Sequence, residues 1–565
     1  MRRGKLRAVV ALTVGMAMCV GLAGVSAATP SANGAAAGAG SAKVPMPPNV
    51  VLVLLDDFSN DLVKTMPNTL RLRRDGAYFP NSFVADSLCC TSRSALLTGL
   101  YPHNNGVWTN TPAPKGEKQG GWKAFHDNGN GAKTFVNAIN ERKGRSYRTA
   151  FQGKYLNGYA GKQGHPVPPG WTQWNAILGA GYQQWDYKMT TTEVKNGKHV
   201  MGKPASYGKA DGDYATTVLE RRAARYIEDS RREYKERPYF LEIAPYATHS
   251  IINGKRAHKG DPMFPPAPRD RPGGKSDGNC GAQDCSKLHA RDLPGYNDPT
   301  KDNRPRFDSG RYGPHWQSDQ PMGDDGAKAT KHLRDRARMS QAIDRMVGTI
   351  RAKAGPNTYI IVTSDNGFHL GQHRARLGKG TAYDYDVRVP LIVYKKTADK
   401  ANRLTPGPRS QVVSNIDLAP TIRDLSRTSL GEHRDGISFA DALRNPKSTK
   451  GPRYAFVEHT RPAAKGKDAS RDPDLQKGRG GTSSVPSYVA VRSKDAVLIR
   501  YDIRGTGQPA WEYYTYDRSR KDGLVEMTNT YLGARGTDRV KSMKAALNRF
   551  TGCDGRECRA ARTLP

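Results

Sequence analysis

The chain has 565 residues, of which 36% are hydrophobic, and a formal net charge of +36. This length exceeds that of one ordinary domain and is typical of a large α/β domain joined to a smaller one. The apolar residues are grouped in strand-like and helix-like blocks, which excludes a purely disordered chain. The positive charge is spread along the chain rather than clustered beside aromatic motifs, so we predict no nucleic-acid partner. It indicates either a solubilising surface or attraction to a polyanion.

The first 27 residues have the composition of an export signal. A basic start is followed by an apolar stretch at 8–22 and by small residues at 25–27, as in a signal peptide with its cleavage site. The apolar stretch is short for a membrane span, and the Ala/Gly/Ser/Pro-rich segment 28–47 is typical of a flexible linker. We therefore predict a secreted, extracellular protein without a stable membrane partner, exported by either the Sec or the twin-arginine route.

Alternating strand and helix patterns extend from residue 48 to about 425. Continuous apolar runs predict buried parallel strands, and apolar residues every three to four positions predict helices. The predicted strands are 49–55, 147–151, 239–244 and 359–363, and the predicted helices begin near 92 and span 213–233 and 334–353. This alternation predicts an α/β domain over 48–425 with a mostly parallel central sheet, interrupted by a Gly-, Pro- and charge-rich insertion at about 253–325.

A different pattern begins near residue 426. Strands are predicted at 488–491, 496–501 and 511–516, and a closing helix at 540–550. Successive strands without intervening helices are typical of an antiparallel sheet. We predict a smaller C-terminal α+β domain over 426–565.

The seven cysteines divide into distinct groups. Cys19 falls within the predicted signal peptide, and the pairs Cys280/Cys285 and Cys553/Cys558 suit two short-loop disulfides outside the cell. A Cys₄ zinc site would need CxxC-type knuckles, and both spacings are wider than that. Neighbouring cysteines pair only with strain, so the doublet Cys89-Cys90 requires another explanation.

Polar residues follow two of the predicted strands. Asp56-Asp57 comes directly after the first strand, and Asp365-Asn366 follows the strand at 359–363. Each pair alone also suits a helix cap or a turn. Together, at one edge of a parallel sheet, they offer hard oxygen ligands that suit Ca²⁺ or Mg²⁺ better than zinc.

The segment from Cys89 to Gly99 resembles the signature of the sulfatase family, Cys-x-Pro-Ser-Arg followed by a helix and Thr-Gly. Thr91 departs from it, standing where proline is usual. The resemblance continues in order over nearly 400 residues through 147–156, 364–367, 388–390 and 415–421. It implies an alkaline-phosphatase-like fold and an exported hydrolase whose Cys89 is oxidised by a formylglycine-generating enzyme. The hydrated formylglycine would be the nucleophile, and Cys90 a spectator thiol.

Two further segments are similar to N-acetylglucosamine-6-sulfatases and extracellular heparan 6-O-endosulfatases. These are Tyr101-Pro102-His103-Asn104 and Gly153-Lys154-Tyr155-Leu156-Asn157. Many other sulfatases carry a histidine where Leu156 stands, and a leucine side chain cannot form its hydrogen bond. That role is therefore either absent or taken by a neighbour such as Asn157.

The resemblance also implies roles for individual residues. One calcium ion would be held by Asp56, Asp57, Asp365, Asn366 and an oxygen of residue 89. Arg93 would pair with residue 89 or with the metal-bound carboxylates. Lys154 and Lys379 would bind the sulfate oxygens, and His249 would protonate the leaving oxygen or hold the sulfate.

Three functions remain open at this point. The leading one is a sulfatase that hydrolyses sulfate monoesters of a sulfated carbohydrate such as 6-O-sulfated N-acetylglucosamine. The second is a phosphate or phosphonate ester hydrolase of the same superfamily. The third is a secreted polyanion-binding protein whose Cys89 is never converted, a possibility that Thr91 keeps open.

Overall fold

The computed structural model describes residues 46–142, 146–252, 254–299, 303–313, 316–317, 320–323, 325–428, 434–461, 485–503, 505–517 and 525–565. The predicted signal peptide and residues 28–45 of the predicted linker lie outside these ranges. Among the described helices, none combines the length and the apolar character needed to cross a membrane.

The described strands are short, and most belong to one large sheet. In chain order they are β1 (Asn49–Leu55), β2 (Ala77–Tyr78), β3 (Ser82–Phe83), β4 (Arg148–Gly153), β5 (Gln173–Leu178), β6 (Tyr187–Met189), β7 (Thr192–Lys195), β8 (Lys198–Met201), β9 (Ala205–Tyr207), β10 (Tyr239–Ala244), β11 (Thr358–Ser364), β12 (Leu391–Lys396), β13 (Gly407–Pro408), β14 (Val413–Ser414), β15 (Ala455–His459), β16 (Tyr488–Arg492), β17 (Ala496–Asp502) and β18 (Pro509–Thr515).

The described α-helices lie mainly between these strands. They are α1 (Pro67–Asp75), α2 (Cys89–Thr98), α3 (Pro102–Asn105), α4 (Gly121–Asp127), α5 (Phe135–Asn140), α6 (Ala215–Arg232), α7 (Asp325–Lys353), α8 (Asp384–Val387), α9 (Leu418–Ser426), α10 (Ala440–Arg444), α11 (Tyr531–Ala534), α12 (Asp538–Phe550) and α13 (Arg556–Thr563).

The large sheet has ten strands in the order β13-β2-β12-β11-β1-β10-β4-β5-β6-β9. Its centre is parallel, because β1 pairs in parallel with both β10 and β11, and β4 pairs in parallel with β10 and β5. Beyond this centre, β12 pairs antiparallel with β11 and β2, β6 pairs antiparallel with β5 and β9, and β13 pairs in parallel with β2. The mostly parallel sheet predicted from the alternating pattern is therefore confirmed.

Strand β1 shows why the central strands of the sheet are continuous apolar runs in the sequence. Val51, Val53 and Leu55 face one hydrophobic core, and Val50, Leu52 and Leu54 face a second core on the other side. Helices cover both faces, so both sets of side chains are buried and the usual alternation with polar residues is absent. The first core contains residues of α6 and α7, and the second contains residues of α2, α5 and α9.

Helix α7 begins nine residues before the predicted start at Arg334. The early turns are strongly polar, which hides them in a search for apolar periodicity. Ala329 and Leu333 nevertheless point into the first core and are buried there. Tertiary packing thus extends the helix into a segment that has only a weak amphipathic signal of its own.

The C-terminal part contains the four-stranded antiparallel sheet β15-β16-β17-β18. Three of these strands were predicted, whereas β15 was not. Helix α12 packs its apolar side against this sheet and begins after Thr537, whose side chain accepts a hydrogen bond from the backbone of Val540. The smaller antiparallel unit is confirmed, and the domain limits of 48–425 and 426–565 and the insertion at about 253–325 stay predictions.

Both predicted disulfides are present, and the adjacent cysteines are separate from them. Cys280 is bonded to Cys285, and Cys553 to Cys558. Cys89 and Cys90 are both buried, and neither forms a disulfide bond.

His103 links helix α3 to the C-terminal part. Its Nδ1 lies 2.8 Å from Glu458 Oε2 on β15, and its Nε2 lies 3.0 Å from the carbonyl oxygen of Cys553. A carboxylate and a carbonyl both accept hydrogen bonds, so both ring nitrogens donate and the ring is an imidazolium. Burial opposes the charged ring, but the hydrogen bond and charge of Glu458 outweigh it, and the pKa of His103 is raised.

This geometry predicts a pH-dependent contribution of His103 to stability. A raised pKa in the folded state means that the contribution is complete below about pH 6.5, the ordinary histidine pKa, and disappears as the pH rises through the folded value. His103→Gln should therefore lower the free energy of unfolding by about 1.5 kcal/mol at pH 5.5, and by less at pH 9. Thermal unfolding of both proteins across this range measures the difference, and a pH-independent difference would contradict the charged pair.

Candidate active site

Several parallel strands end at one edge of the large sheet, and their following residues converge there. Asp56 and Asp57 follow β1, Lys154 follows β4, and Asp365 and Asn366 follow β11. All five side chains are buried. They meet because the carboxyl ends of parallel strands lie at the same edge of a sheet. His249, five residues after β10, joins them with its Nε2 at 3.5 Å from Asp57 Oδ2.

Helix α2 brings Cys89 to this edge from the other side. Cys89 is the first residue of the helix, and its Sγ lies 3.4 Å from Asp56 Oδ1 and 3.7 Å from Asp57 Oδ1. Lys379 Nζ lies 2.8 Å from the same sulfur atom. A helix N-terminus and a lysine both favour negative charge at residue 89.

The acidic residues and Cys89 form a compact set of possible metal ligands. One donor atom from each of Asp56, Asp57, Cys89 and Asp365 lies within 4.8 Å of the others. The Oδ1 atom of Asn366 is buried without a hydrogen-bond partner, while its Nδ2 donates to Asp57 Oδ1 at 2.8 Å. Three carboxylates and an amide oxygen without a partner fit a hard divalent cation such as Ca²⁺ or Mg²⁺.

Three cations lie among these carboxylates. Lys154 Nζ is 2.8 Å from both oxygens of Asp56, and Lys379 Nζ contacts Asp57 Oδ1. Arg93 donates from Nε to Asp365 Oδ2 at 2.7 Å and from Nη1 to the carbonyl oxygen of Lys154 at 2.7 Å. Buried charges are stable only when they are paired and hydrogen-bonded, and here each carboxylate has a cation.

The pKa shifts of Asp365 and Lys154 agree with ionised pairs, whereas burial raises the pKa of Asp56 against the opposing charge of Lys154. Burial alone would raise the pKa of Asp365, but Arg93, Lys154 and Lys379 together lower it. Burial would lower the pKa of Lys154, yet the charge of Asp56 holds it well above its ordinary value. The site therefore presents fixed ammonium and guanidinium groups at neutral pH.

His249 has one nitrogen held by the backbone and the other turned toward the acidic residues. Its Nδ1 lies 2.7 Å from the carbonyl oxygen of Ser250, so Nδ1 carries the hydrogen. The ring packs edge-on against Tyr182 at 4.6 Å between centroids. These contacts leave Nε2 facing Asp57, where it can accept or donate a proton.

Cys90 and Leu156 occupy different surroundings from Cys89. Both side chains are buried in the second core, together with Tyr155. Burial raises the pKa of Cys90 to about 12, so this thiol stays protonated at neutral pH. Asn157, the suggested substitute for the missing histidine, is buried with both side-chain polar atoms lacking a hydrogen-bond partner.

Sequence reasoning missed two residues that support the site. Asn415 donates from Nδ2 to Ser92 Oγ at 2.8 Å, and Ser92 Oγ contacts the carbonyl oxygen of Asp365. Arg336 on α7 donates to the carbonyl oxygen of Asp57. Asn415 lies in a recognisable motif, whereas Arg336 is one of many basic residues on its helix and has no distinguishing sequence signal.

Comparisons with known proteins identify related chains over most of the length. The family model described as Sulfatase matches residues 48–428. An N-acetylglucosamine-6-sulfatase from Capra hircus is 27% identical over 546 residues, which cover 93% of this chain and 87% of that protein. An extracellular sulfatase SULF-1 homolog from Drosophila melanogaster is 29% identical over 411 residues, covering 70% of this chain but 31% of the relative.

This chain is also similar in fold to a solved structure. The chain is similar to a protein whose structure was determined with its substrate D-glucosamine-2-N,6-O-disulfate, with a TM-score of 0.56 and 18% sequence identity. The similarity covers 91% of this chain and 98% of that one. At this identity the likeness shows the alkaline-phosphatase-like fold alone.

The acidic site predicts stabilisation by a divalent cation. Adding CaCl₂ to chelator-treated protein should raise the melting temperature, because an ion at a hundred times its Kd stabilises the folded state by about 2.7 kcal/mol. Asp365→Asn should largely abolish this rise, and parallel titrations with MgCl₂ compare the two ions. Asp344→Asn is a matched control, because Asp344 is a buried aspartate that caps α1. An equal calcium response in wild type and Asp365→Asn would contradict the site.

Proposed function

The chain belongs to the sulfatase family of sulfuric ester hydrolases, and on that premise we propose that it hydrolyses sulfate monoesters of a sulfated glycan, with 6-O-sulfated N-acetylglucosamine as the preferred sugar. The observation that carries this proposal is the position of Cys89. Its side chain lies at a helix N-terminus, beside Lys379 and among three carboxylates that can hold a cation. A nucleophile for an anionic ester needs these surroundings.

The proposed cofactors are a formylglycine made from Cys89 and one Ca²⁺. Asp56, Asp57, Asp365, Asn366 and an oxygen of residue 89 would hold the ion. When bound, these groups supply a hydroxyl nucleophile and a positive charge that polarises the sulfate ester. The partner in maturation would be a formylglycine-generating enzyme.

The basic residues would hold the sulfate group. Lys379 Nζ, 2.8 Å from Cys89 Sγ, is adjacent to the position of attack, and Lys154 is on the Asp56 side of the same site. Fixed ammonium groups in a buried site stabilise charge that develops on the sulfate oxygens. Arg93 binds Asp365 and the backbone of Lys154, so it orients a metal ligand and a sulfate-binding residue together.

His249 would act on the leaving group. With Nδ1 held by the carbonyl oxygen of Ser250, a proton on Nε2 is directed into the site and would pass to the departing sugar oxygen. Ring packing against Tyr182 limits its rotation.

The substrate class and the location rest on different support. The names N-acetylglucosamine-6-sulfatase and extracellular sulfatase belong to the relatives, and we extend them to this chain as a proposal. The net charge of +36 favours a polyanionic substrate. Secretion is supported by the predicted signal peptide and by the two disulfides, which persist in oxidising compartments.

Conversion of Cys89 can be measured directly. Replacing the thiol side chain by an aldehyde lowers the mass of the peptide around residue 89 by about 18 Da, which mass spectrometry of the secreted protein detects. Cys89→Ala should lower kcat by at least about 10³-fold while the protein still folds, since the residue is a nucleophile and not a structural link. Cys90→Ala is the matched control and should keep both conversion and turnover. A free thiol at Cys89 in every active molecule would overturn the mechanism.

Paired substrates separate the proposed activity from the phosphate or phosphonate alternative. The protein should hydrolyse aryl sulfate and N-acetylglucosamine-6-sulfate with a kcat/KM at least about 10²-fold above that for the matching phosphate and phosphonate esters. The control is Lys379→Met, which should lower turnover of every ester because the lysine contacts the attacking position. A preference for the phosphorus esters would favour the second function.

A further inference from the structure

Asp57 has an unusual backbone conformation. Its φ angle is 51°, in the left-handed region that residues other than glycine adopt at a cost of about 1 kcal/mol or more. The surrounding structure must therefore hold the residue in place. Its carbonyl oxygen accepts hydrogen bonds from Arg336 Nη2 and from Thr248 Oγ1, the latter at 3.2 Å.

Arg336 reaches Asp57 from the inner face of helix α7. Its side chain is fully buried, and the guanidinium carbon lies 4.4 Å from the ring centre of Phe368 and 5.5 Å from that of Phe264. Burial lowers the pKa of Arg336 to about 10, so the group is charged at neutral pH. Among the described residues no carboxylate forms an ion pair with it, and its Nε and Nη1 have no hydrogen-bond partner.

A buried guanidinium without its own carboxylate is expensive to keep. The Nη2 atom is the part with partners: the carbonyl oxygen of Asp57, Ser59 Oγ at 3.2 Å and Thr248 Oγ1 at 3.5 Å. Asp57 and Ser59 lie in the turn that follows β1, and Thr248 itself donates to the carbonyl oxygen of Asp57. The hydrogen bonds of this side chain are therefore directed at the turn and not at a carboxylate.

The conformation of residue 57 decides where its carboxylate points. The backbone nitrogen of Asp57 donates to Asp365 Oδ1 at 3.2 Å, and Asp57 Oδ1 accepts from Asn366 Nδ2 at 2.8 Å. Asp57 thus connects the ligands that follow β1 to those that follow β11. A rotation about the N–Cα bond of residue 57, which sets φ, would move both the carbonyl oxygen that accepts from Arg336 and the carboxylate.

We propose that Arg336 is a positioning residue, which holds Asp57 in the left-handed conformation that directs its carboxylate at a bound divalent cation. This inference rests on the proposed function, since it concerns the cation site of that same active site. Arg336 touches neither substrate nor metal and acts through the backbone of Asp57.

The direction in which the Ca²⁺ affinity changes when Arg336 is replaced separates this role from simple electrostatics. Removing a positive charge near the acidic cluster would by itself strengthen binding of Ca²⁺. Loss of the hydrogen bond to Asp57 would weaken it. Isothermal titration calorimetry of the purified full chain with CaCl₂ should show that Arg336→Met raises the Kd about tenfold or more, and that Arg336→Lys, which keeps a charged donor, falls between Met and wild type.

Arg338→Met is the matched control. Arg338 lies on the same helix, is buried, and pairs with Asp335 at 2.8 Å instead of with the turn after β1. We expect it to lower the melting temperature without changing the Kd for Ca²⁺ by more than about twofold.

The loss of turnover in Arg336→Met should also be partly recovered at high CaCl₂ concentration, because a weaker site can still be filled by mass action.

Several outcomes would overturn the inference. These are a folded Arg336→Met whose Kd is unchanged or lower, or a Kd raised equally by Arg338→Met. If Arg336→Met does not fold, a wild-type Kd in Arg336→Lys together with full turnover at low CaCl₂ would have the same effect. Wild-type protein that binds no Ca²⁺ would overturn both this inference and the metal part of the proposed function. Wild type that binds Ca²⁺ without sulfatase activity would refute the function alone.

Discussion

Asp56, Asp57 and Asp365 lie together where water does not reach, and the arrangement around them follows from the need to balance their charge. Their cations come from three distant segments: Arg93 from α2, Lys154 from the end of β4, and Lys379 from the segment after β11. A buried carboxylate that loses its partner is strongly destabilising, so these contacts also hold the sheet edge and α2 together. The formal charges cancel, and a bound dication would leave the site positive, as an anionic ester requires.

Helix α2 unites the chemistry with the fold. All ten of its residues are buried, although five of them are polar: Thr91, Ser92, Arg93, Ser94 and Thr98. A buried helix is usually apolar on all sides. Here Arg93 and Ser92 bond to the segment after β11, and Asn415 bonds to Ser92 from the segment before α9. The active site thus supplies partners for Ser92 and Arg93, whereas Thr98 donates to the carbonyl oxygen of Ser94 within the helix at 2.7 Å.

The sequence allowed much of the parallel sheet to be predicted, because the buried strands are uninterrupted apolar runs and the polar residues follow them directly. Asp56, Asp57, Asp365 and Asn366 could be placed at one edge for that reason, and family resemblance supplied candidate roles for Cys89, Lys154, His249 and Lys379. Strand β15 was missed because only three of its five residues are apolar, and its buried Glu458 and His459 are polar. Arg336 was missed because its function depends on a contact with Asp57, 279 positions away in the chain. Neither strand β15 nor the role of Arg336 can be recognised from a short stretch of the sequence.

The complete burial of Cys89 has a consequence for biosynthesis. An enzyme that modifies this thiol must bind the peptide that carries it, and in the folded chain that peptide is helix α2, whose ten residues are all buried. If the residue is converted, the reaction must precede the docking of α2 against the sheet. Modification of Cys89 and folding of the chain would then compete during synthesis. A chain that folds first would be stable, correctly cross-linked at both disulfides and permanently inactive, so the yield of folded protein would say nothing about the yield of enzyme.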